Sequence, residues 1–110
     1  MKTHLKEPYK QFFGTLANQV RIDIISHLSH GESNVTKIVQ ATGQQQSTVS
    51  HSLKRLELCG FVRSRQEGKE RIYALNHETI KPLFDLMKKH VHNYCAHVVH
   101  QREKHHEQKD

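Results

Sequence analysis

The sequence has little cysteine and no long apolar run. Its two cysteines, Cys59 and Cys95, are far apart along the 110 residues, which excludes a disulfide framework and a CxxC metal clip. No apolar stretch approaches the roughly 20 residues that a membrane-spanning helix needs, and no apolar signal core follows Met1. We therefore expect no membrane partner and a cytoplasmic location.

Positive charge and histidine are the abundant features. The 17 basic and 11 acidic residues give a net charge of +6 at pH 7 with histidine neutral. This balance suits a polyanionic partner such as nucleic acid, although an anionic membrane surface or an ordinary basic protein would also fit. There are 11 histidines, and they concentrate between His90 and His106. The length is that of a single domain, which we expect to cover residues 1–110.

Apolar periodicity and capping residues predict the helices of the N-terminal half. A first amphipathic helix is predicted over residues 5–17, and a second one begins after Asn18 and ends near Leu28. Residues 30–33 are predicted as a turn. Residues 34–59 then form a helix-turn-helix, in which Gly43 supplies the left-handed conformation that ends the shorter helix.

A hairpin and a long helix are predicted for the rest of the chain. Strands over 61–65 and 70–75 flank Glu67-Gly68, so that residues 61–75 form a β-hairpin. The terminal helix covers 77–100 and carries Pro82 near its first turn, where a missing N–H is tolerated. Residues 101–110 are expected to fray. The expected fold class is mainly α with a small β-hairpin.

The second helix of the helix-turn-helix has the pattern of a groove-binding helix. Val49, Leu53 and Leu56 form an apolar stripe that can anchor it, which leaves polar side chains on the other sides. Short hydrogen-bonding groups suit DNA base edges, and cations suit phosphates. The candidate DNA contacts are Gln46, Ser47, Thr48, Ser50, His51, Lys54 and Arg55 of the helix and Arg63, Arg65, Lys69 and Arg71 of the hairpin.

These residues resemble those of a known family. Residues 46–56 resemble the recognition helix of the ArsR/SmtB family of winged helix-turn-helix repressors, residues 13–25 its opening, and residues 60–69 its wing. The resemblance implies cytoplasmic homodimers that repress double-stranded DNA operators and release them when a metal ion or another signal binds. A winged helix that binds RNA or docks a protein is the alternative. An enzyme is not expected, because no nucleophile, base and orienting partner are recognisable.

The predicted terminal helices carry an apolar stripe that indicates a two-fold dimer interface. A single small domain has little left to cover it, although a wholly intramolecular core is the alternative. The candidate interface residues are Tyr9, Phe12, Phe13, Ile80, Leu83, Phe84, Met87, Val91, Tyr94, Cys95 and Val98. Two copies of Cys95 could form an intermolecular disulfide there, but an inert buried thiol is favoured. Cys59 is expected to be a core residue.

A metal site is only partly supported by the family's ligand patterns. The stretch that would hold a Cys-x-Cys pair, residues 32–36, has no cysteine. The positions of a cross-dimer site fall on His77, Thr79, His90 and Asn93, of which only the histidines are good zinc ligands. A shifted match uses His90, His92, Glu103 and His106. The candidate ligands are His90, His97 and His100, for Zn or another divalent transition metal, and solvated histidines are the alternative.

Overall fold

The computed structural model describes residues 2–96, with side chains from residue 6 onward. The chain divides into two compact units, the first ending at Asn76 and the second beginning at His77. The first unit contains α1 (Lys2–Leu16), α2 (Gln19–Leu28), β1 (Ser33–Asn34), α3 (Val35–Thr42), α4 (Gln46–Leu58), β2 (Val62–Glu67) and β3 (Glu70–Leu75). The second contains α5 (Ile80–His90) and a π-helical segment, Val91–Cys95. The expectation of one domain over the whole chain stays a prediction.

Local signals set the limits of α2, α3 and α4. The side chain of Asn18 accepts a hydrogen bond from the Arg21 amide at 3.0 Å, so it caps α2 as predicted. Asn34 caps α3 in the same way, through the Lys37 amide at 2.9 Å. Gly43 ends α3 with a φ of 70°, a left-handed conformation that confirms its predicted role in the turn before α4.

The core of the first unit lies where α2, α3, α4 and the sheet meet. Its buried apolar members come from these elements and from the residue just before β2: Ile24, Ile25, Leu28, Ile38, Val49, Leu53, Leu56, Phe61, Val62 and Leu75. Val49, Leu53 and Leu56 recur at steps of four and three, so they share one side of α4. This confirms that the apolar stripe anchors the helix and orients its remaining sides outward.

The sheet has three antiparallel strands in the order β1-β3-β2, one strand more than predicted. Ser33 pairs with Tyr73, and Asn34 pairs with Ile72. The prediction of a turn through Ser33 was therefore wrong, because pairing with a distant strand extends this short segment. The hairpin itself is confirmed, although β2 runs to Glu67 and not to residue 65.

The second unit differs from the uninterrupted α-helix that was predicted. Pro82 lies in the first turn of α5, as expected. Regular α-helix ends at His90, however, and the next five residues form the π-helical segment. Residues 97–100, where the predicted helix ends, and the tail 101–110 lie outside the described residues. Within residues 2–96, no helix is both long and apolar enough to cross a membrane.

Candidate nucleic-acid interface

The exposed side of α4 carries most of its predicted DNA contacts. Gln46, Ser47, Ser50, His51 and Lys54 are all exposed, and their spacing of three to four residues places them along one side of the helix. The opposite side is held by the buried stripe. Because that stripe has no accessible surface, the helix cannot turn its polar side inward without exposing the core.

A shallow groove runs beside this polar side, between α4 and the start of α2. Ser47, Thr48 and His51 line it from α4, and Asn18, the N-cap of α2, and Arg21 line it from the other side. Thr48 is half-buried there. Hydroxyl, amide and imidazole groups can each donate or accept a hydrogen bond, so this surface offers the mixed donors and acceptors that base edges require.

The hairpin presents its cations on different faces. Side chains alternate along a strand, and directly paired residues share a face. Arg63 and Arg65 of β2 therefore lie on one face, opposite Ala74 and Ile72. Arg71 lies on the other face, while Lys69 is exposed next to the turn at Gly68.

Arg65 is held by two carboxylates. Its Nη1 and Nη2 donate to the two carboxylate oxygens of Glu32, each at 2.7 Å, and Nη2 also donates to Glu67 at 2.9 Å. These bonds lower the pKa of Glu32 and raise that of Arg65. Arg65 thus fixes the hairpin to the segment before β1, and a phosphate would have to compete with two anions for it.

A second chain of hydrogen bonds joins the other face of the hairpin to α4. Arg71 donates to the Ser64 hydroxyl at 2.8 Å, and that hydroxyl donates to Glu57 of α4 at 2.6 Å. Tyr73, on the same face, has a pKa raised by burial and by the negative charge of Glu57. Within the described part of the chain, Arg63 and Lys69 form no salt bridge with a carboxylate and are available to an anionic ligand.

Arg55 differs from its neighbour Lys54. Lys54 is exposed, whereas Arg55 is half-buried and donates to Gln11 and Thr15 of α1. Phosphate contact by Arg55 or Arg65 stays a prediction, and both have intramolecular acceptors. Gln11, an acceptor of Arg55, and Glu32, an acceptor of Arg65, were not predicted, because partners so distant in sequence leave no local pattern.

The predicted dimer residues divide into exposed and buried groups. On α1, Tyr9 and Phe13 are 61% and 62% exposed, while Phe12 stacks at 5.2 Å on the buried ring of Phe61. In the second unit, Val91, Tyr94 and Cys95 are exposed and Leu83 and Met87 are half-buried. Ile80 and Phe84 are already buried in the single chain and have little surface to offer a partner. Val98 lies outside the described residues.

Only some of the histidines and cysteines singled out from the sequence lie within the described residues. His90 is exposed, with its ring 4.8 Å from that of Tyr94, and His97 and His100 lie outside the described residues. Across the part that is described, no three His, Cys, Asp or Glu side chains are grouped as metal ligands. Cys59 is half-buried, less than a core residue, and Cys95 is exposed, so the described residues do not supply the burial expected for Cys95.

The geometry defines a class of protein. One helix, α4, is anchored by a buried stripe and exposes hydrogen-bonding groups on its other side. A preceding helix and a left-handed turn hold this helix in place. A β-hairpin with unpaired cations follows it. This is the arrangement of a winged helix-turn-helix DNA-binding domain.

Comparison with known proteins identifies the family. The family model described as bacterial regulatory protein, arsR family, matches residues 18–64. The chain resembles the homodimeric winged helix-turn-helix DNA-binding domain of Mycobacterium bovis Mb0332, described as a possible ArsR-family transcriptional regulator. Its TM-score to that structure is 0.79, with 31% identity over 87% of this chain and 89% of the other. The chain belongs to the ArsR family of regulators, which are not enzymes.

Two curated relatives from Mycobacterium tuberculosis agree with this assignment. The HTH-type transcriptional regulator Rv0324 is 37% identical over 73 residues, which are 66% of this chain and 32% of that protein. The HTH-type transcriptional regulator NmtR is 34% identical over 70 residues, which are 64% of this chain and 58% of that protein. The match therefore spans between a third and three-fifths of these relatives.

Proposed function

We propose that the protein acts in the cytoplasm as a homodimeric repressor that binds a specific double-stranded DNA operator. The observation that carries the proposal is the contrast across α4. Val49, Leu53 and Leu56 are fully buried, and the side chains on the opposite side are exposed. A helix held in this way can enter the major groove, where each base pair shows a distinct pattern of donors and acceptors.

The contacts divide by chemistry. Gln46, Ser47, Ser50 and His51 face base edges, and Lys54 binds phosphate on the same side of the helix. The free cations of the hairpin, Arg63 and Lys69, bind the flanking backbone. Thr48 and Arg71 lie at the edges of the proposed interface. Thr48 is half-buried, and Arg71 already donates a hydrogen bond to Ser64.

The proposed homodimer is supported by the exposed aromatic residues and by the neighbour in Mycobacterium bovis, whose DNA-binding domain is homodimeric. Two recognition helices related by a two-fold axis would meet half-sites about one helical turn apart. The proposal therefore predicts an operator with two inverted half-sites.

Selection from a random duplex library tests the function. Fluorescence anisotropy then compares the selected duplex with a scrambled one over a range of salt concentrations, using the full chain. We expect His51→Ala and Ser50→Ala to reduce the preference for the selected sequence, while Gln40→Ala, an exposed change on α3, leaves it unchanged. Equal affinity for both duplexes would overturn the proposal and favour an RNA-binding or protein-docking role.

A divalent transition metal remains the proposed effector, with His90, His97 and His100 as its ligands. The support is the imidazole content of this segment, since neutral imidazole binds Zn and related metals. Equilibrium dialysis should show less zinc bound to a variant with all three histidines replaced by alanine. Equal uptake by the variant and the wild type would remove these ligands from the proposal.

A further inference from the structure

Arg55 points from the recognition helix toward α1. Its Nη2 donates to the Gln11 side-chain oxygen at 2.8 Å, and its Nε donates to the Thr15 hydroxyl at 3.4 Å. Lys54, the adjacent residue, is exposed beside Ser47, Ser50 and His51. The two neighbouring cations of α4 therefore have different surroundings, one open to a ligand and one attached to another helix.

Thr15 is the centre of this attachment. Its side chain has no accessible surface, and its hydroxyl donates to the Gln11 carbonyl at 2.7 Å and lies 3.3 Å from the Cys59 sulfur. With its proton given to Gln11, the hydroxyl oxygen is left to accept from Arg55. Removing the Arg55 guanidinium would take away a charged donor from a buried acceptor.

A second arginine holds the same end of α1. Arg21 of α2 donates to the Thr15 carbonyl at 2.6 Å and to the Gly14 carbonyl at 3.2 Å. Carbonyls in the last turn of a helix lack intrahelical partners and carry partial negative charge, so guanidinium groups suit them. The last turn of α1 is thus fixed by one arginine from α2 and by another from α4.

We infer that Arg55 is a positioning residue, which sets the orientation of the recognition helix relative to α1 through Gln11 and Thr15. This inference rests on the proposed function. The exposed aromatics on α1, Tyr9 and Phe13, belong to the proposed dimer surface. Fixing α4 to α1 therefore fixes the recognition helix to the surface that pairs the two subunits, and so sets the half-site spacing that the dimer accepts.

The salt dependence of binding separates this role from a phosphate contact. Each phosphate neutralised contributes about −0.9 to the slope of log K against log salt concentration. The dimer carries two copies of Lys54, so we expect Lys54→Ala to make the slope shallower by about 1.8. Arg55→Ala and Gln11→Ala should both leave the slope unchanged and weaken binding to the selected operator by about tenfold, an effect typical of groups in one hydrogen-bond network.

The half-site spacing gives a readout that a purely structural role would not change. Operators with one base pair added or removed between the half-sites should bind much more weakly to the wild type than the selected operator does. Arg55→Lys keeps the positive charge. A lysine ammonium group lacks the planar, forked guanidinium that lets Arg55 donate to Gln11 and Thr15 at the same time. We expect Arg55→Lys and Gln11→Ala to discriminate less among the three spacings.

The possible failures are distinguishable. If Arg55→Ala makes the salt slope shallower by about 1.8 while Arg55→Lys and Gln11→Ala bind like the wild type, Arg55 is a phosphate contact. That result overturns the inference and leaves the proposed function standing. If the wild type shows no sequence preference, the proposed function fails and the inference fails with it. Gln11 is exposed, so Gln11→Ala supplies a folded variant even if Arg55→Ala unfolds.

Discussion

At the scale of single residues, two leucines of α4 have opposite environments. Leu53 has no accessible surface, and Leu58, five residues later, is 82% exposed. Both residues are leucines of the same helix, so a comparison of their alanine variants measures the effect of burial alone. The orientation of the DNA-binding side depends on this contrast, since it is the buried stripe that directs the polar residues outward.

Leu53→Ala should lower the free energy of unfolding by about 2–5 kcal/mol, because it removes buried methyl groups and leaves a cavity. Leu58→Ala should change it by less than about 0.5 kcal/mol. Urea unfolding of both variants at equal protein concentration measures the difference. Equal losses in the two variants would mean that α4 does not have this orientation.

The pair formed by Glu32 and Arg65 predicts a pH dependence. Hydrogen bonds from Arg65 lower the pKa of Glu32 below its ordinary value of 4.5, so the unfolded state binds its proton more readily. The resulting contribution to stability is complete above the unfolded-state pKa and is lost as the pH falls through the lowered folded-state pKa. Glu32→Gln lacks this charge and should lack this step.

Unfolding experiments at pH 7 and pH 3 test this pair. The free-energy difference between wild type and Glu32→Gln should shrink at the lower pH, and the same comparison in an Arg65→Ala background should show little change. If the difference instead grew as the pH fell, the ion pair would not lower the pKa of Glu32.

At the scale of elements, the turn between α3 and α4 requires Gly43. Its φ is 70°, and a Cβ added there would meet nothing within 4 Å, so backbone conformation and not space restricts this position. Gly14, inside α1, also has free space but no positive φ. The two glycines form a matched pair for a stability test.

Gly43→Ala should destabilise the fold by about 1–2 kcal/mol, the cost of placing a side chain in the left-handed region. Gly14→Ala should stabilise it by about 0.5–1 kcal/mol, because glycine is a poor residue inside a helix. Thermal unfolding of the two variants gives both signs. Stabilisation by Gly43→Ala would contradict the left-handed turn.

Local signals explain which elements the sequence predicted. Asn18, Gly43 and the stripe on α4 act over a few residues, so α2, α3 and α4 were placed closely. β1 has two residues and exists through its pairing with β3, which no local periodicity reveals. The π-helical segment was missed because apolar spacing assumes a regular helix.

Local sequence patterns likewise limited what could be predicted of the candidate DNA interface. The exposed positions of α4 followed from its periodicity, so Gln46, Ser47, Ser50, His51 and Lys54 could be selected from sequence. The distant acceptors of Arg55 and Arg65 could not, because Gln11 and Glu32 are 44 and 33 residues away along the chain. Charge alone marks an arginine as a candidate phosphate ligand, whereas its partners depend on the folded structure.

At the scale of the whole molecule, the proposed dimer uses only part of the exposed apolar surface. Phe13 belongs to the predicted interface, while Leu86, 65% exposed on α5, lies off the predicted stripe. Phe13→Glu should weaken dimerisation by at least about tenfold, because it buries a charge without a partner. Leu86→Glu should have little effect.

Sedimentation velocity over a dilution series measures both dimerisation constants. If the Leu86→Glu variant dissociated while the Phe13→Glu variant stayed dimeric, the dimer interface would lie on another face of the protein.

Nuclear magnetic resonance can show directly which residues contact the DNA. Amide chemical shifts of the isotopically labelled chain are compared with and without the selected duplex, and with the scrambled duplex as control. If α4 is the recognition helix, the largest changes specific to the selected sequence fall between Gln46 and Lys54, with weaker changes near Arg63 and Lys69. Unchanged α4 amides together with large shifts elsewhere would contradict this role.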